Sequence, residues 1–196
     1  MTTVLIGGRK APHGDFEGDD ATPGAGGKWV TCTDSSTGRA LSWASNGRVE
    51  LDGKQIRAAV HPHDPNGINL RQAKQAVESL TNTTLVIPEH WSWTEVSIHL
   101  RHRPYVGLVA QLWYAEIPRK YRLQWAADFG HAVWISHYSA TSNRSVRVWD
   151  ALDANEDRHG SWVPVTYIRA AMEELARREG VGPNRLFCGF VPLQHL

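Results

Sequence analysis

In the first half of the chain, the spacing of apolar residues and the polar residues that precede them predict four helices. Asp34 or Ser35 caps the first, which runs to about Ser45 before a turn at Asn46-Gly47. Each of the other three begins with a capping box, in which a polar cap residue is followed three positions later by Glu or Gln. The boxes are Asp52 with Gln55, Asn69 with Gln72 and Ser92 with Glu95, and they predict helices over 52–60, 69–80 and 92–103.

The second half of the chain carries strand signals. Runs rich in β-branched and aromatic residues predict strands over 105–112, 131–138, 145–149 and 186–191. The polar loop 139–144 separates the second and third strands, so we expect these two to form an antiparallel hairpin. A last helix, from about Pro164 to Glu179, ends at Gly180, which suits a left-handed cap. Helices followed by strands predict an α+β domain.

Residues 1–27 differ from the rest of the chain. They are rich in Gly, Asp, Pro and small residues, and they lack a sustained helical or strand period. We interpret them as an extended N-terminal arm. A total length of 196 residues suits one domain, so residues 28–196 are expected to form it.

Charge and hydropathy argue against two classes of partner. The 21 basic and 20 acidic residues give a net charge of +1 and are spread along the chain, so no phosphate-binding face is indicated and nucleic acid is not expected as a partner. No segment approaches the roughly 20 apolar residues that span a bilayer. The N-terminus also lacks the pattern of a secretion signal, so we expect no membrane association.

The predicted hairpin brings a histidine and a carboxylate together. A loop centred between residues 140 and 141 places His131 directly opposite Asp150. Directly opposed side chains have Cβ atoms about 5 Å apart, which lets a carboxylate accept a hydrogen bond from an imidazole. Such a carboxylate would orient the ring and leave its other nitrogen to take a proton from a nucleophile. A slip of one residue would break this pairing.

Cys32 is the candidate nucleophile, because a thiol at or just before a helix N-terminus experiences the positive end of the helix dipole, which favours the thiolate. Cys188 lies in an apolar strand segment and is expected to be a core residue. A disulfide between Cys32 and Cys188 is the alternative that would abolish the nucleophile.

Several other residues are of types that take part in chemistry or ligand binding. Asp153 is an alternative carboxylate to Asp150, although it lies beyond the opposed position. The cluster His61-Pro62-His63-Asp64 resembles metal ligands, but it sits in a turn-rich loop without a matching ligand set, so no metal is expected. Five tryptophans could line a groove or pack in a core: Trp91, Trp93, Trp113, Trp125 and Trp134. Four arginines are expected on solvated helix faces: Arg101, Arg103, Arg177 and Arg178.

Short segments of the chain resemble the papain-like cysteine peptidases of the C39-like group. They are Cys32-Thr33 at a helix start, Gly130-His131-Ala132-Val133, and Val146-Arg147-Val148-Trp149-Asp150, in that order. The segment Trp162-Val163-Pro164 before the last helix is similar to C39-like domains encoded by phages of actinobacteria. The resemblance covers roughly residues 29–180. It implies a papain-like fold in which an N-terminal helical half carries the Cys and a C-terminal antiparallel sheet carries the His and the Asp.

The resemblance implies a thiol-dependent amide hydrolase that needs no cofactor and whose catalytic residues are Cys32, His131 and Asp150. It further implies a phage virion or lysis component acting on cell-wall peptides, found in the virion or in the host cytoplasm before assembly or lysis. One feature departs from the family, which usually has a Gln shortly before the Cys to bind the oxyanion. The run Gly24-Ala25-Gly26-Gly27-Lys28-Trp29 contains none.

The missing Gln favours a second hypothesis, in which the chain is a weak or inactive structural protein of a phage particle, for example in the tail. The N-terminal arm would then bind neighbouring phage proteins and become ordered on assembly. A transferase with the same catalytic residues is a third possibility, because it differs from a hydrolase only in the molecule that attacks the acyl-enzyme.

Overall fold

The computed structural model describes residues 5–6, 9–10, 32–60, 67–103, 106–122, 128–139, 144–150 and 160–193. Most of the predicted arm, residues 1–27, therefore lies outside the described residues. Its described part is a pair of antiparallel two-residue strands, β1 (Leu5–Ile6) and β2 (Arg9–Lys10).

In the described part of the chain, five α-helices form where the sequence predicts them: α1 (Cys32–Ala44), α2 (Gly53–Ala58), α3 (Leu70–Leu80), α4 (Trp93–His102) and α5 (Val165–Arg178). All three predicted capping boxes are present, at the starts of α2, α3 and α4. Helix α1 begins two residues earlier than its predicted cap, Asp34, so Cys32 is its first residue. Gly180 adopts the predicted left-handed conformation after α5, with φ of 72°. Among the described residues, no helix is both long and apolar enough to cross a membrane.

Among the described residues, one antiparallel sheet contains five strands in the order β6-β5-β4-β3-β7. They are β3 (Leu108–Trp113), β4 (Gly130–Ser139), β5 (Ser145–Asp150), β6 (Ser161–Pro164) and β7 (Cys188–Gly189). Strands β4 and β5 form the predicted hairpin. The fold is therefore α+β, as predicted.

Two strands differ from the sequence prediction. Strand β6 was predicted only as the lead-in to the last helix, because four residues ending in proline carry little strand signal. It pairs with β5 at one edge of the sheet, where proline is tolerated. At the other edge β7 is two residues long, although a strand was predicted over 186–191, and apolar composition in that segment reflects core packing as much as strand pairing.

Helices cover both faces of the sheet and create two hydrophobic clusters. One cluster joins α4 and α5 to sheet residues such as Leu108, Val133 and Ile135. The other joins α1, α2 and α3 to Val109 and Trp134. Alternate residues of β3 and β4 thus face opposite helical layers, as the two-residue period of a strand requires. The ends of these strands can therefore carry polar side chains next to a rigid core.

Tryptophans belong mainly to this packing. Trp134 is fully buried, and its ring lies 5.5 Å from that of Trp43 and 5.9 Å from that of Trp149, measured between centroids. The groove hypothesis is therefore wrong for Trp134, which is a core residue. Trp91 and Trp93 are half-buried against the core cluster on the α5 side of the sheet. Trp125 lies outside the described residues.

Helix α1 is buried along nearly its whole length although it is polar. Even Asp34 and Arg39 are almost inaccessible, at 0% and 1% exposure. Asp34 Oδ2 accepts a hydrogen bond from Arg57 Nε of α2 at 2.9 Å, which compensates part of the cost of burying that carboxylate. Burial along the helix and the ion pair to α2 hold α1 in place, which fixes the location of Cys32 at its start.

Candidate active site

His131 and Asp150 meet on the two strands of the central hairpin. His131 is the second residue of β4, and Asp150 is the last residue of β5. The distance between His131 Nε2 and Asp150 Oδ1 is 2.7 Å, which is typical of a charge-assisted hydrogen bond donated by the imidazole. The structure therefore places the two residues that the sequence paired in direct contact.

The predicted register of the hairpin, however, is wrong by two residues. Asp150 lies opposite Val133, whereas the sequence analysis placed it opposite His131. Side chains alternate between the two faces with a period of two, so a two-residue error leaves both residues on the same face. Diagonal neighbours on adjacent strands are about 7–8 Å apart, within reach of long side chains. The contact therefore forms across a diagonal.

A β-bulge at Ser136 interrupts the pairing in the middle of β4. The register shifts by one residue between Ile135 and His137, which leaves Ser136 as the extra residue. The Ser136 side chain is fully buried, and its hydroxyl accepts a hydrogen bond from Trp149 Nε1 at 2.8 Å. His137 Nδ1 lies 2.8 Å from the same hydroxyl. These two contacts satisfy the hydrogen-bonding capacity of the Ser136 hydroxyl, which is buried at the bulge.

This bulge determines which face the site occupies. Near the loop, Tyr138 lies opposite Val146. If that register continued unchanged along the hairpin, Asp150 would lie opposite Trp134, and His131 would face the other side of the sheet. The bulge shifts the register once and returns His131 and Asp150 to one face. Near the loop the register differs from the predicted one by three residues, because Tyr138 lies opposite Val146, and the bulge reduces this difference to two.

Tyr114 also belongs to the site, although the sequence does not predict it. It begins a short 3-10 helix directly after β3 and is only 2% exposed. Its hydroxyl donates a hydrogen bond to Asp150 Oδ2 at 2.8 Å, and its ring centroid lies 4.7 Å from that of His131. Each carboxylate oxygen of Asp150 thus has a partner. In the structure, Tyr114 lies two residues beyond Leu112, which pairs with His131. The sequence itself carries only a weak indication of this proximity.

The environment of His131 favours its protonated form. Burial lowers the pKa of the imidazole, but the charge of Asp150 and its hydrogen bond act in the opposite direction. A side-chain hydrogen bond to Cys32, and the charge of that residue, also raise the pKa. Together these contributions raise the pKa of His131 well above 6.5. A charged imidazole is stabilised here at pH values where a free histidine is neutral.

Cys32 reaches this site from the start of α1. It is half-buried, whereas the residues that follow it in the helix are buried. Two hydrogen bonds join the helix to the sheet: Ser36 Oγ donates to Ala132 O at 3.2 Å, and Gln111 Nε2 donates to Thr33 Oγ1 at 3.3 Å. Ala132 follows the histidine on β4, so these bonds fix the helix start beside it. The structure therefore brings all three predicted site residues together.

Cys188 has a different environment. It is fully buried in β7, and burial raises the pKa of its thiol to about 12. Both cysteines are free, so the alternative of a Cys32–Cys188 disulfide is not realised. The prediction that Cys188 is a core residue is confirmed.

The structure does not test the other sequence candidates. Asp153 and the cluster His61-Pro62-His63-Asp64 lie outside the described residues. Within the described part of the chain, no group of three or more His, Cys, Asp or Glu side chains is arranged to hold a metal ion. The site consists of a thiol, an imidazole, a carboxylate and a phenol.

Comparison with known proteins shows a relationship at the level of fold. No family model and no curated protein matches the chain. A solved structure described as a candidate C39-like peptidase from Bacillus anthracis superposes with a TM-score of 0.54 at 14% sequence identity. That match covers 84% of this chain and 90% of the other. The structure of UfSP from C. elegans matches with a TM-score of 0.48 at 11% identity, over 92% of this chain and 33% of the other.

The chain has a papain-like cysteine peptidase fold. Its helical half carries Cys32 in the first helix, and its antiparallel sheet carries His131 and Asp150. The similarity to the C39-like structure extends over most of both chains, and this extent supports the assignment of the fold.

Proposed function

We propose that the protein is a cysteine peptidase that hydrolyses an amide bond through an acyl-enzyme, with Cys32 as nucleophile, His131 as general base and acid, and Asp150 as the orienting carboxylate. The observation that carries the proposal is the bond between His131 and Asp150, next to the thiol at a helix N-terminus. A positioned base beside a thiol is the arrangement that nucleophilic catalysis requires.

The contacts of the imidazole suggest how the proton moves. Nε2 of His131 is bonded to Asp150, so Nδ1 is the ring nitrogen left to take the thiol proton of Cys32. The resulting thiolate attacks the carbonyl carbon of the substrate, and the imidazolium then donates its proton to the leaving amine. In the second half of the reaction, His131 removes a proton from water, the hydroxide attacks the thioester, and the thiol is released with a carboxylic acid product.

The oxyanion that forms during attack needs hydrogen-bond donors. The first N–H groups of α1 lie beside Cys32 and lack acceptors within the helix, so they suit this role. The usual Gln before the Cys is absent from the run Gly24-Ala25-Gly26-Gly27-Lys28-Trp29. Loss of one such donor lowers turnover on the order of 10²- to 10³-fold, so we expect a slow enzyme.

The test is the pH dependence of Cys32 alkylation by iodoacetamide, measured in a Cys188→Ala background that removes the second thiol. The usual thiol pKa is about 8.5, and we expect labelling of Cys32 to persist well below that pH. The labelling rate should fall about tenfold or more in His131→Ala. His90→Ala, which removes an exposed histidine elsewhere, is the matched control. Labelling that is slow and insensitive to His131 would contradict the proposal.

The substrate and setting rest on the sequence resemblance alone. We propose peptides of a bacterial cell wall as the substrate class and a phage virion or lysis component as the role. Purified peptidoglycan incubated with the protein, and with Cys32→Ala, tests this step. New amino termini detected by mass spectrometry only with the unmodified protein would support it, and identical spectra from the two would contradict it.

The second candidate function is a structural protein of a phage particle with a weak or inactive site. The missing Gln is the observation that favours it, and the N-terminal arm, residues 1–27, is the proposed contact with neighbouring phage proteins. Cys32 labelling that does not respond to His131 would support this candidate over the enzyme.

A further inference from the structure

The β4–β5 hairpin carries a second polar feature at the end opposite to the candidate active site. A cleft of about 390 Å³ opens between α4, the loop end of the hairpin and the start of α5. Tyr138, which lines it, is seven residues beyond His131 on β4, or roughly 23 Å at about 3.3 Å per residue. The lining residues are Trp93, Ser97, Arg101, Tyr138, Arg144, Val165, Thr166 and Arg169. This distance separates the cleft from the thiol and its partners.

Three arginines from three different elements converge on this cleft, which we call the arginine cleft. Arg101 comes from α4, Arg144 precedes β5, and Arg169 comes from α5. Among the described residues that line it, none is acidic. Glu173 is bonded to Arg169 and offsets its charge, but among the described lining residues no carboxylate accompanies Arg101 and Arg144. Guanidinium groups stay charged at all physiological pH values, so an anion beside them is stabilised. An arrangement assembled from distant parts of the chain therefore suits an anionic ligand.

Local contacts hold two of these guanidinium groups in place. Arg101 Nη2 donates to the hydroxyl of Tyr138 at 3.0 Å, and the Arg101 guanidinium carbon lies 4.7 Å from the centroid of the same ring. Arg169 Nε donates to Glu173 Oε1, one helical turn away, at 2.9 Å. A guanidinium has five N–H donors, so each bond uses only one of them. Fixed guanidinium groups lose less entropy when they bind an anion.

Arg144 provides an independent indication of function. Its φ is +40°, in the left-handed region that a residue with a side chain adopts at a cost of roughly 1–2 kcal/mol. Its carbonyl accepts a hydrogen bond from the Val165 N–H at the start of α5, at 2.9 Å. In this conformation Arg144 lines the cleft. Backbone strain of this kind is concentrated at functional sites.

The remaining walls indicate the size and character of the ligand. Small-molecule sites typically have volumes of about 300–1,000 Å³, so this cleft suits a ligand at the small end of that range. Trp93 and Val165 supply an apolar wall, and Ser97 and Thr166 supply hydroxyls. Guanidinium groups bind phosphate and carboxylate in the same bidentate manner.

We propose that the arginine cleft binds a small organic anion with two or more phosphate or carboxylate groups, independently of the peptidase chemistry. Arg101 and Arg169 contact its charged groups from the two helices, and Arg144 contacts them from the hairpin. Trp93 packs against its apolar part. The proposal does not depend on the activity of the thiol site.

Isothermal titration calorimetry of the full chain with pyrophosphate and with citrate tests the proposal and separates the two chemistries. We expect binding of at least one of them, weakened by added sodium chloride because exposed charges are screened. Arg101→Gln and Arg144→Gln should each weaken binding about tenfold or more. Arg185→Gln, which removes an exposed arginine from another part of the surface, should change it less than about twofold.

Two further measurements keep the result interpretable. Arg144→Lys retains the charge but loses bidentate geometry, so it should bind more weakly than the unmodified chain and more tightly than Arg144→Gln. The rate of Cys32 alkylation should be unchanged in all these variants, which shows that the fold is intact. The absence of binding by either anion at millimolar concentration, or equal binding by Arg144→Gln and the unmodified chain, would overturn the proposal.

Discussion

The two cysteines of this chain have the same functional group in opposite surroundings. Cys32 is half-buried at the start of α1, with an imidazole partner that is itself bonded to a carboxylate. Cys188 is fully buried in β7, opposite Ala110 on β3, and burial alone raises the pKa of its thiol to about 12. If Cys32 is the nucleophile that we propose, the two thiols differ in reactivity because only Cys32 has a charged partner beside it.

The comparison also shows why burial alone does not mark a functional residue. His131 is almost as inaccessible as Cys188, at 4% exposure, yet its pKa is raised well above the ordinary value because Asp150 lies beside it. For Cys188 nothing offsets burial, which favours the neutral thiol. The charged partner, Asp150, thus distinguishes buried His131 from buried Cys188, which has no such effect on its pKa.

The largest expected difference is between the labelling rates of the two thiols in the folded protein. With a pKa of about 12, Cys188 is a thiolate in roughly one molecule in 10⁵ at pH 7, and it is also inaccessible. Brief treatment with iodoacetamide at pH 7 should therefore modify Cys32 alone, as measured by peptide mass spectrometry. In denaturant both thiols should react at similar rates. If Cys188 were labelled as fast as Cys32 in the native protein, the expected difference between the two thiols would be contradicted.

A smaller effect is expected from Asp150→Asn, which removes the charge but keeps the size of the side chain. The pKa of His131 should fall, and Cys32 labelling at pH 6 should slow about tenfold, because one pKa unit of lost interaction corresponds to a factor of ten. The measurement is an NMR titration of the imidazole C–H protons. Asp128→Asn, at an exposed carboxylate, is the control. An unchanged His131 titration would show that Asp150 does not stabilise the imidazolium.

The same substitution should change the pH dependence of stability. The pKa of His131 is raised in the folded chain, so the folded state binds the proton more tightly than the unfolded state. This contribution is fully present below the unfolded pKa of about 6.5, and it is lost as the pH rises through the folded value. Urea unfolding of the unmodified chain should show this loss, and Asp150→Asn should reduce it.

The smallest effect on reactivity is expected from Tyr114→Phe. The substitution removes the hydroxyl that donates to Asp150 but retains the ring beside His131. Loss of a hydrogen bond to a charged group should lower the free energy of unfolding by about 1.5–3 kcal/mol, and Cys32 labelling should slow only several-fold.

Tyr167→Phe, which removes a hydroxyl from a half-buried ring elsewhere, controls for the substitution. If Tyr114 orients the carboxylate, Tyr114→Phe should also lower the pKa of His131, whereas a purely packing role would leave that pKa unchanged.

Local features of the fold could be predicted because their causes lie within a few residues. Each capping box joins positions three apart, such as Asp52 with Gln55, and all of those predicted are present. Gly180 takes the left-handed conformation that ends α5 because it has no side chain to oppose it. The strand periods of β4 and β5 likewise indicated a hairpin with a histidine and a carboxylate near its open end.

Only the tertiary structure decided how these secondary-structure elements and their side chains come together. The bulge at Ser136, whose hydroxyl accepts a hydrogen bond from Trp149, sets the face on which His131 and Asp150 lie. Tyr114 joins the site from a different strand. The arginine cleft likewise combines side chains from α4, the hairpin and α5.

The sequence by itself determined the types of element and the residues able to perform chemistry, since propensities, caps and periods act over a few positions. The strand register, the joining of Tyr114 to the site and the separate arginine cleft arise from contacts between segments that are distant in the chain. Such contacts form only when the two helical layers pack against the sheet, and no local pattern specifies their geometry.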